Sequence, residues 1–295
     1  MIFENRIRAL VQPLLRHISF SLSASHGSQK VSIPILHGTG LGVYKQFRSG
    51  EEAWKLGLFK GLLALTDGIF VDVGVNLGQT LIKLRQVDSE RPYVGFEPNP
   101  DCLHYVYDLI RRNDYANVEL LAVGLGETTG VLSLYLPPGR STDSTATLLK
   151  DLRPDRAYDA RNVPIFNEDN LASLFGERKL GVVKVDVEGA EPEVFNGIRN
   201  SLDKHRPGVL CEVLFTDRKG SLYASTTRNA ELMSILRSIR YRVFQIKKSH
   251  DHQRIAALTS LDEFPCGYHE GENMALADYL FLPAEHAENW LCRLI

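Results

Sequence analysis

Apolar positions fall along the chain in two alternating rhythms. Ile69–Val73, Tyr93–Phe96, Val118–Val123, Leu180–Val187 and Val209–Leu214 are short apolar runs of the kind that fill strands buried on both faces. Between them, apolar residues recur every three or four positions: Leu77, Leu81 and Leu84; Leu103, Val106, Tyr107 and Ile110; Val194, Phe195, Ile198 and Leu202; Leu232, Ile235, Leu236 and Ile239. That spacing lines one face of a helix. Strand, turn and helix repeat in order, which predicts an α/β fold with a mostly parallel sheet covered by helices on both faces. Val131–Leu136 reads as an additional strand, and Tyr241–Ile246 and Asp278–Leu282 as two closing strands.

The flanks of this pattern are less regular. Met1–Phe20 sets Arg6, Arg8 and Arg16 against Ile2, Leu10, Val11, Leu14, Leu15 and Ile18, a basic amphipathic helix interrupted at Pro13. Its expected role is to pack on the domain or on a second subunit as a homo-oligomer contact; lying on a membrane surface is the other reading. Ser21–Gln29 reads as a loop, and Val31–Leu36 as a strand that turns through His37–Gly42 toward Val43–Tyr44 in a small hairpin. Glu51–Leu65 carries Trp54, Leu58, Phe59, Leu62 and Leu63 on one face, a helix that leans on the sheet or overhangs a ligand. Residues 1–66 are therefore expected to form an N-terminal helix, hairpin and lid, and 67–295 the main domain. Pro137–Thr147, rich in Pro, Gly, Ser and Thr, is a flap over an acceptor or a solvated loop.

Composition narrows the partners. With 295 residues, 44% of them apolar, the chain can bury a full core, and a formal charge of −2 offers no general attraction to nucleic acid or an acidic membrane. It contains no apolar run long enough to span a bilayer. Cys102, Cys211, Cys266 and Cys292 form no C-x-x-C pair and the nine histidines are dispersed, so neither a zinc site nor a disulfide framework is expected. Reduced thiols imply a cytoplasmic setting.

Candidate chemistry gathers at the strand ends. In Val71-Asp72-Val73-Gly74-Val75-Asn76-Leu77-Gly78 a strand runs into a glycine turn and then a helix, whose first N–H groups are unpaired. The spacing G-x-x-x-G lacks the third glycine of a dinucleotide fingerprint, and Asp72 would repel a diphosphate. A ligand bearing ammonium and sulfonium would suit that carboxylate instead. Glu97, 25 residues after Asp72, ends the next strand at the offset where an acid meets ribose hydroxyls. S-adenosylmethionine meets both requirements.

Together with Gly95-Phe96-Glu97-Pro98-Asn99-Pro100 and Val183-Lys184-Val185-Asp186-Val187-Glu188-Gly189-Ala190-Glu191, the glycine turn closely resembles the three signatures of the FkbM family of S-adenosylmethionine-dependent methyltransferases. The resemblance spans roughly Asp67 to Leu214. It departs from the family at Val75, usually alanine, and at Glu168, usually apolar. It implies a Rossmann-like class I methyltransferase fold with a seven-stranded sheet ending in an antiparallel hairpin. It further implies cofactor contacts from Asp72, Gly74, Asn76, Gly78, Glu97 and Pro98, with the adenine ring near the backbone of Ala122 and Val123.

Methyl transfer to a hydroxyl needs alignment and a place for the proton. Asp186 and Glu188, on the turn after the central strand, are the leading candidates, with Lys184 holding Asp186 ionised or meeting the acceptor and Glu212 at the next strand end. Competing roles stay open. Asp186 could touch the methionine part of the cofactor, Glu188 could cap a helix, and Glu212 could be a buried ion-pair partner. A divalent cation on these acids is the less favoured reading, and no metal ligand is assigned. The expected activity is O-methylation of a saccharide or secondary-metabolite hydroxyl; a nicotinamide-dependent oxidoreductase and a non-catalytic partner protein are the alternatives.

Overall fold

In the computed structural model, residues 17–26, 29–150, 157–214, 222–265 and 276–294 are described. An eight-stranded sheet organises them, in the order β12-β11-β13-β10-β9-β3-β4-β5. Its parallel half is β10 (Gly208–Glu212), β9 (Leu180–Val185), β3 (Ile69–Val73), β4 (Tyr93–Phe96) and β5 (Val118–Leu121). Its antiparallel half adds β13 (Asp278–Pro283), β11 (Tyr241–Lys248) and β12 (Ile255–Leu261). The predicted seven-stranded sheet with a closing hairpin is present, extended by β12 at the edge. Ile255–Leu261 is only half-buried, and its apolar run, Ile255–Leu258, is four residues long with two alanines at its centre, a weak strand signal.

Helices cover both faces. On one side β1 (Ser19–His26), β2 (Gln29–Leu36), α1 (Leu41–Ser49), α2 (Trp54–Leu63), α3 (Gln79–Val87), α4 (Pro100–Asn113) and α9 (Ala287–Leu294) enclose a core with Phe59, Phe70, Leu84, Val106 and Leu280. On the other, α5 (Glu168–Phe175), α6 (Glu191–Gly197), α7 (Arg199–His205) and α8 (Leu222–Ser238) enclose Val73, Phe96, Phe195, Leu236 and Phe281. A separate three-stranded sheet, β6 (Gly124–Leu125), β8 (Asp159–Phe166) and β7 (Gly130–Leu136), stands beside the strand ends.

Three expectations are corrected. Within the expected loop Ser21–Gln29, Ser21–His26 and Gln29 are strand, β1 pairing antiparallel with β2 from Ser19↔Leu36 to His26↔Gln29, and residues 27–28 lie outside the described residues. Phe20, Leu22 and Ala24 alternate with serines and turn inward, a period-two pattern outweighed in the reading by the small polar residues. The hairpin thus precedes the His37–Gly42 turn, and Leu41–Ser49 beyond it is helical. The helix expected from Glu191 to Leu202 is two helices, breaking at Ile198. The proposed helix Met1–Phe20 lies, up to Arg16, outside the described residues, and its end is strand from Ser19.

Phe70 sits between Phe59, edge-on at 5.1 Å, and Tyr93, stacked at 6.0 Å. Phe70→Ala should lower unfolding free energy in urea by about 3–5 kcal/mol, the range for emptying a buried aromatic site. Val131→Ser, at a position 67% exposed, should stay within about 0.5 kcal/mol.

Candidate active site

The C-terminal ends of β3, β4, β9 and β10 form one rim, because the four strands are parallel and adjacent. At β3 the chain leaves the sheet through Gly74 at φ +86°, where a Cβ would run into the carbonyl oxygen of Asp186. Only glycine fits there. Asn76 takes φ +49° and its side chain accepts the Leu77 N–H (2.8 Å), a local bond that steadies the left-handed residue before Gly78 opens α3. Val75, the departure from the family's alanine, is buried with its side chain over Gly95.

Glu97 ties this turn to the next strand. One carboxylate oxygen accepts the Asn76 N–H and the other the Asn99 N–H, both at 2.8 Å. Burial pushes its pKa up to about 7, against the pull of these two N–H groups.

On β9, Lys184 lies in register with Asp72. Its Nζ donates to the Gly74 carbonyl (2.8 Å) and stands 3.1 Å from Asp72 Oδ1 and 3.5 Å from Asp186 Oδ2. Asp72 is completely buried and accepts the Tyr93 hydroxyl at 2.6 Å. Burial opposes a charged Lys184, but the carboxylates of Asp72 and Asp186 outweigh it and raise its pKa. Beyond Asp186, Glu188 at φ +54° and Gly189 make the turn into α6. The Glu188 carbonyl accepts the Thr147 hydroxyl (2.8 Å), and the Glu191 carboxylate accepts the Gly189 N–H (3.0 Å). Glu212, ending β10, has its carboxyl raised well above the usual range by burial and by the neighbouring acids Asp186 and Asp278.

A cavity of about 390 Å³ lies over the rim, within the range of small-molecule sites. Gly74, Asn76, Glu97 and Pro98 line one side; Lys184, Asp186, Glu188 and Glu212 line the other. The helix expected to lean on the sheet or overhang a ligand packs Trp54, Leu58, Phe59 and Leu62 into the core, while Glu52 and Lys55, before and in the first turn of α2, face the cavity. The Pro137–Thr147 segment is a wall of the cavity through Asp143–Ala146, pinned by Thr147 at one end and by Asn99 Nδ2 donating to the Ser141 carbonyl (2.6 Å) at the other.

Four expected contacts are placed differently. Asp72 does not line the cavity, since its side chain is spent on Tyr93 and Lys184 beneath the floor. Gly78 serves as helix N-cap, and Gln79 and Thr80 line the cavity after it. Ala122 is exposed and Val123 packs into the core, whereas Gly124 and Leu125 border the cavity, because the chain bends into β6 after β5. Sequence reading missed Glu52, Lys55 and the Gly124–Leu125 wall. The one available signal was charge: Glu52 and Lys55 interrupt an otherwise apolar helix start. They pair with each other, and Lys83 holds the second Glu52 oxygen at 3.1 Å, which together bring the Glu52 pKa down to about 2 against the effect of burial. Tyr44 and Arg48 bond each other outside the cavity. Among the described residues no group of three or more His, Cys, Asp or Glu is arranged to hold a metal ion.

The Methyltransferase FkbM domain matches residues 72–243, more than half the chain. The chain belongs to the FkbM methyltransferase family. "Methyltransferase sdnD" of Sordaria araneosa is 29% identical over 157 residues, 43% of this chain and 59% of that protein. "Methyltransferase 1" of Beauveria bassiana is 24% identical over 147 residues, 45% and 59% of the two chains. The chain thus spans somewhat over half the length of these curated relatives. Methyltransferase FkbM from Methylobacillus flagellatus KT, a crystal structure, aligns over 94% of this chain and 60% of its own at 16% identity and a TM-score of 0.43. For this FkbM chain, Glu168 explains its own departure from the family: its carboxylate accepts the Asn200 and Ser201 N–H groups (3.1 and 2.7 Å), satisfying the first turn of α7.

Glu97 and Glu191 both have pKa values raised to about 7, chiefly by burial. In the unfolded chain each loses its proton near 4.5, while the folded protein keeps it to about 7. Between those values the folded state binds more protons, so stability should fall as pH rises from 4.5 to 7. Thermal melts of the ligand-free protein should show this fall, shallower in Glu97→Gln; an unchanged slope in that variant would place its titration elsewhere.

Proposed function

We propose that this chain transfers a methyl group from S-adenosylmethionine to a hydroxyl of a saccharide or secondary-metabolite acceptor in the cytoplasm. The observation that carries the reading is Glu97, a carboxylate at the end of β4 that fixes the glycine turn and still faces the cavity opposite Asp186 and Glu212. Each of its oxygens accepts one backbone N–H and keeps a lone pair for a ribose hydroxyl. Family membership leaves the nicotinamide alternative without support, and buried, unpaired Cys102 and Cys211 favour a reducing compartment.

When bound, S-adenosylmethionine supplies an electrophilic methyl on a sulfonium. Gly74 and Asn76 present backbone to it, Glu97 and Pro98 take its ribose side, and Gly124 and Leu125 flank the adenine in place of Ala122 and Val123. The acids across the cavity suit the positive sulfonium. Asp186, half-exposed and ion-paired with Lys184, accepts the acceptor's hydroxyl proton, with Glu188 beside it. Burial and the neighbouring acids Asp186 and Asp278 favour the protonated form of Glu212, which suits it to donating a hydrogen bond rather than accepting the proton.

Calorimetry with S-adenosylhomocysteine should show saturable binding, weakened at least about tenfold in Glu97→Ala, since a hydrogen bond to a charged group contributes roughly 1.5–3 kcal/mol. Unchanged affinity in that variant would reject the pocket. Labelled methyl transfer to hydroxylated acceptors should drop by about 10²-fold in Asp186→Asn, the lower end for losing a general base. Glu212→Gln, which keeps a donor, should remain within about threefold of the wild type. Equal losses in the two would overturn this division of roles, and bound cofactor without transfer in a broad acceptor screen would favour a non-catalytic protein.

A further inference from the structure

Asp72 occupies the position from which an acid is expected to meet the cofactor, yet it is sealed below the cavity. A buried carboxylate needs compensation, and this one has two partners of different kinds. The Tyr93 hydroxyl donates to Oδ2 at 2.6 Å, and the Lys184 ammonium stands 3.1 Å from Oδ1 in an ion pair that falls short of hydrogen-bond alignment. Tyr93 is fixed in turn: its ring stacks on Phe70 with only 9° between the planes. Gly95, in register with Asp72, leaves room for that approach, since a Cβ there would strike the Tyr93 ring.

Lys184 has three protons and three acceptors around it: Asp72 Oδ1, the Gly74 carbonyl at 2.8 Å and Asp186 Oδ2 at 3.5 Å. Gly74 belongs to the turn on the cofactor side and Asp186 to the turn on the acceptor side. One ammonium therefore bridges the two halves of the cavity floor, through one hydrogen bond to Gly74 and ion pairs with Asp72 and Asp186.

We propose that Tyr93, Asp72 and Lys184 form a buried positioning chain that fixes the distance between the Gly74 turn and Asp186, so that Asp72 acts on the site only through Lys184. This rests on the cofactor reading for its functional meaning, while the chain itself is testable without ligand. Its direction of action is clear from charge. Without Lys184, Asp72 and Asp186 face each other with no cation between them, and the Gly74 carbonyl loses its donor.

Hydrogen exchange by mass spectrometry on the ligand-free full chain tests it. The Gly74 and Val75 amides donate to the Phe96 carbonyl and the Asp186 amide to the Val73 carbonyl, so exchange at these positions reports both turns. Lys184→Met, Asp72→Asn and Tyr93→Phe should each speed exchange in both turns, by roughly tenfold for the first two and about threefold for the last. Segments 232–239 and 279–282 should keep wild-type protection. Asp72→Asn combined with Lys184→Met should exceed neither single variant, because members of one unit are not additive. Additive effects, or loosening confined to the strand that carries the change, would overturn the proposal. Should Lys184→Met fail to fold, Tyr93→Phe removes one hydroxyl only and decides the matter by the same readout. Wild-type titration with S-adenosylhomocysteine separates the two claims: coupled turns without binding would sink the cofactor reading alone, and binding with uncoupled turns the positioning chain alone.

Discussion

The site depends on an ammonium group held out of water. Lys184 is 6% exposed and Asp72 not at all, and an ion pair so placed contributes little net stability, since desolvation offsets most of the attraction. What such a pair supplies is geometry. Parallel strands β3 and β9 bring their ends side by side, but strand pairing stops at Val73 and Val185, and apart from Val73 and Lys184 the residues these two segments give to the cavity come after both. Past the last ladder bond, Lys184 and the Asp186 N–H to Val73 carbonyl bond (3.0 Å) keep the two exits aligned. Removing the ammonium would leave a buried carboxylate without its counter-charge, the costly half of a broken pair.

Opposing demands are also balanced at Glu97. Two backbone N–H groups favour its charged form and its surroundings disfavour it, and burial prevails. A carboxyl that titrates near neutrality accepts hydrogen bonds from hydroxyls through both oxygens on the alkaline side of that transition, and on the acid side turns one oxygen into a donor. The rim as a whole avoids an accumulation of bare charge by different means: Glu52 shares two lysines, Asp186 leans on one, and burial disfavours a charge on Glu212.

The parallel half of the sheet and its helices were legible because Val, Ile and Leu runs and three-to-four-residue spacings carry their own period. Glycine turns with acids at fixed offsets located Gly74, Asn76, Glu97 and Asp186 on one rim. The rest was hidden for physical reasons. Asp72 lies one residue pair from the cavity, and only side-chain direction on β3 decides that it points to Tyr93 instead. Strand β1 alternates small polar residues with Phe20 and Leu22, so composition spoke for a loop while periodicity spoke for a strand. Glu52 and Lys55 reach the cavity because α2 packs across the strand ends, a tertiary fact that two charges at an apolar helix start only hint at.

The segment from Pro137 to Leu148 has its two anchors on opposite sides of the cavity, Ser141 on Asn99 behind Glu97 and Thr147 on the carbonyl of Glu188. A wall fastened in this way joins the two sides of the cavity mechanically, so a displacement of the Asn99 side reaches the Glu188 turn through a single short stretch of chain.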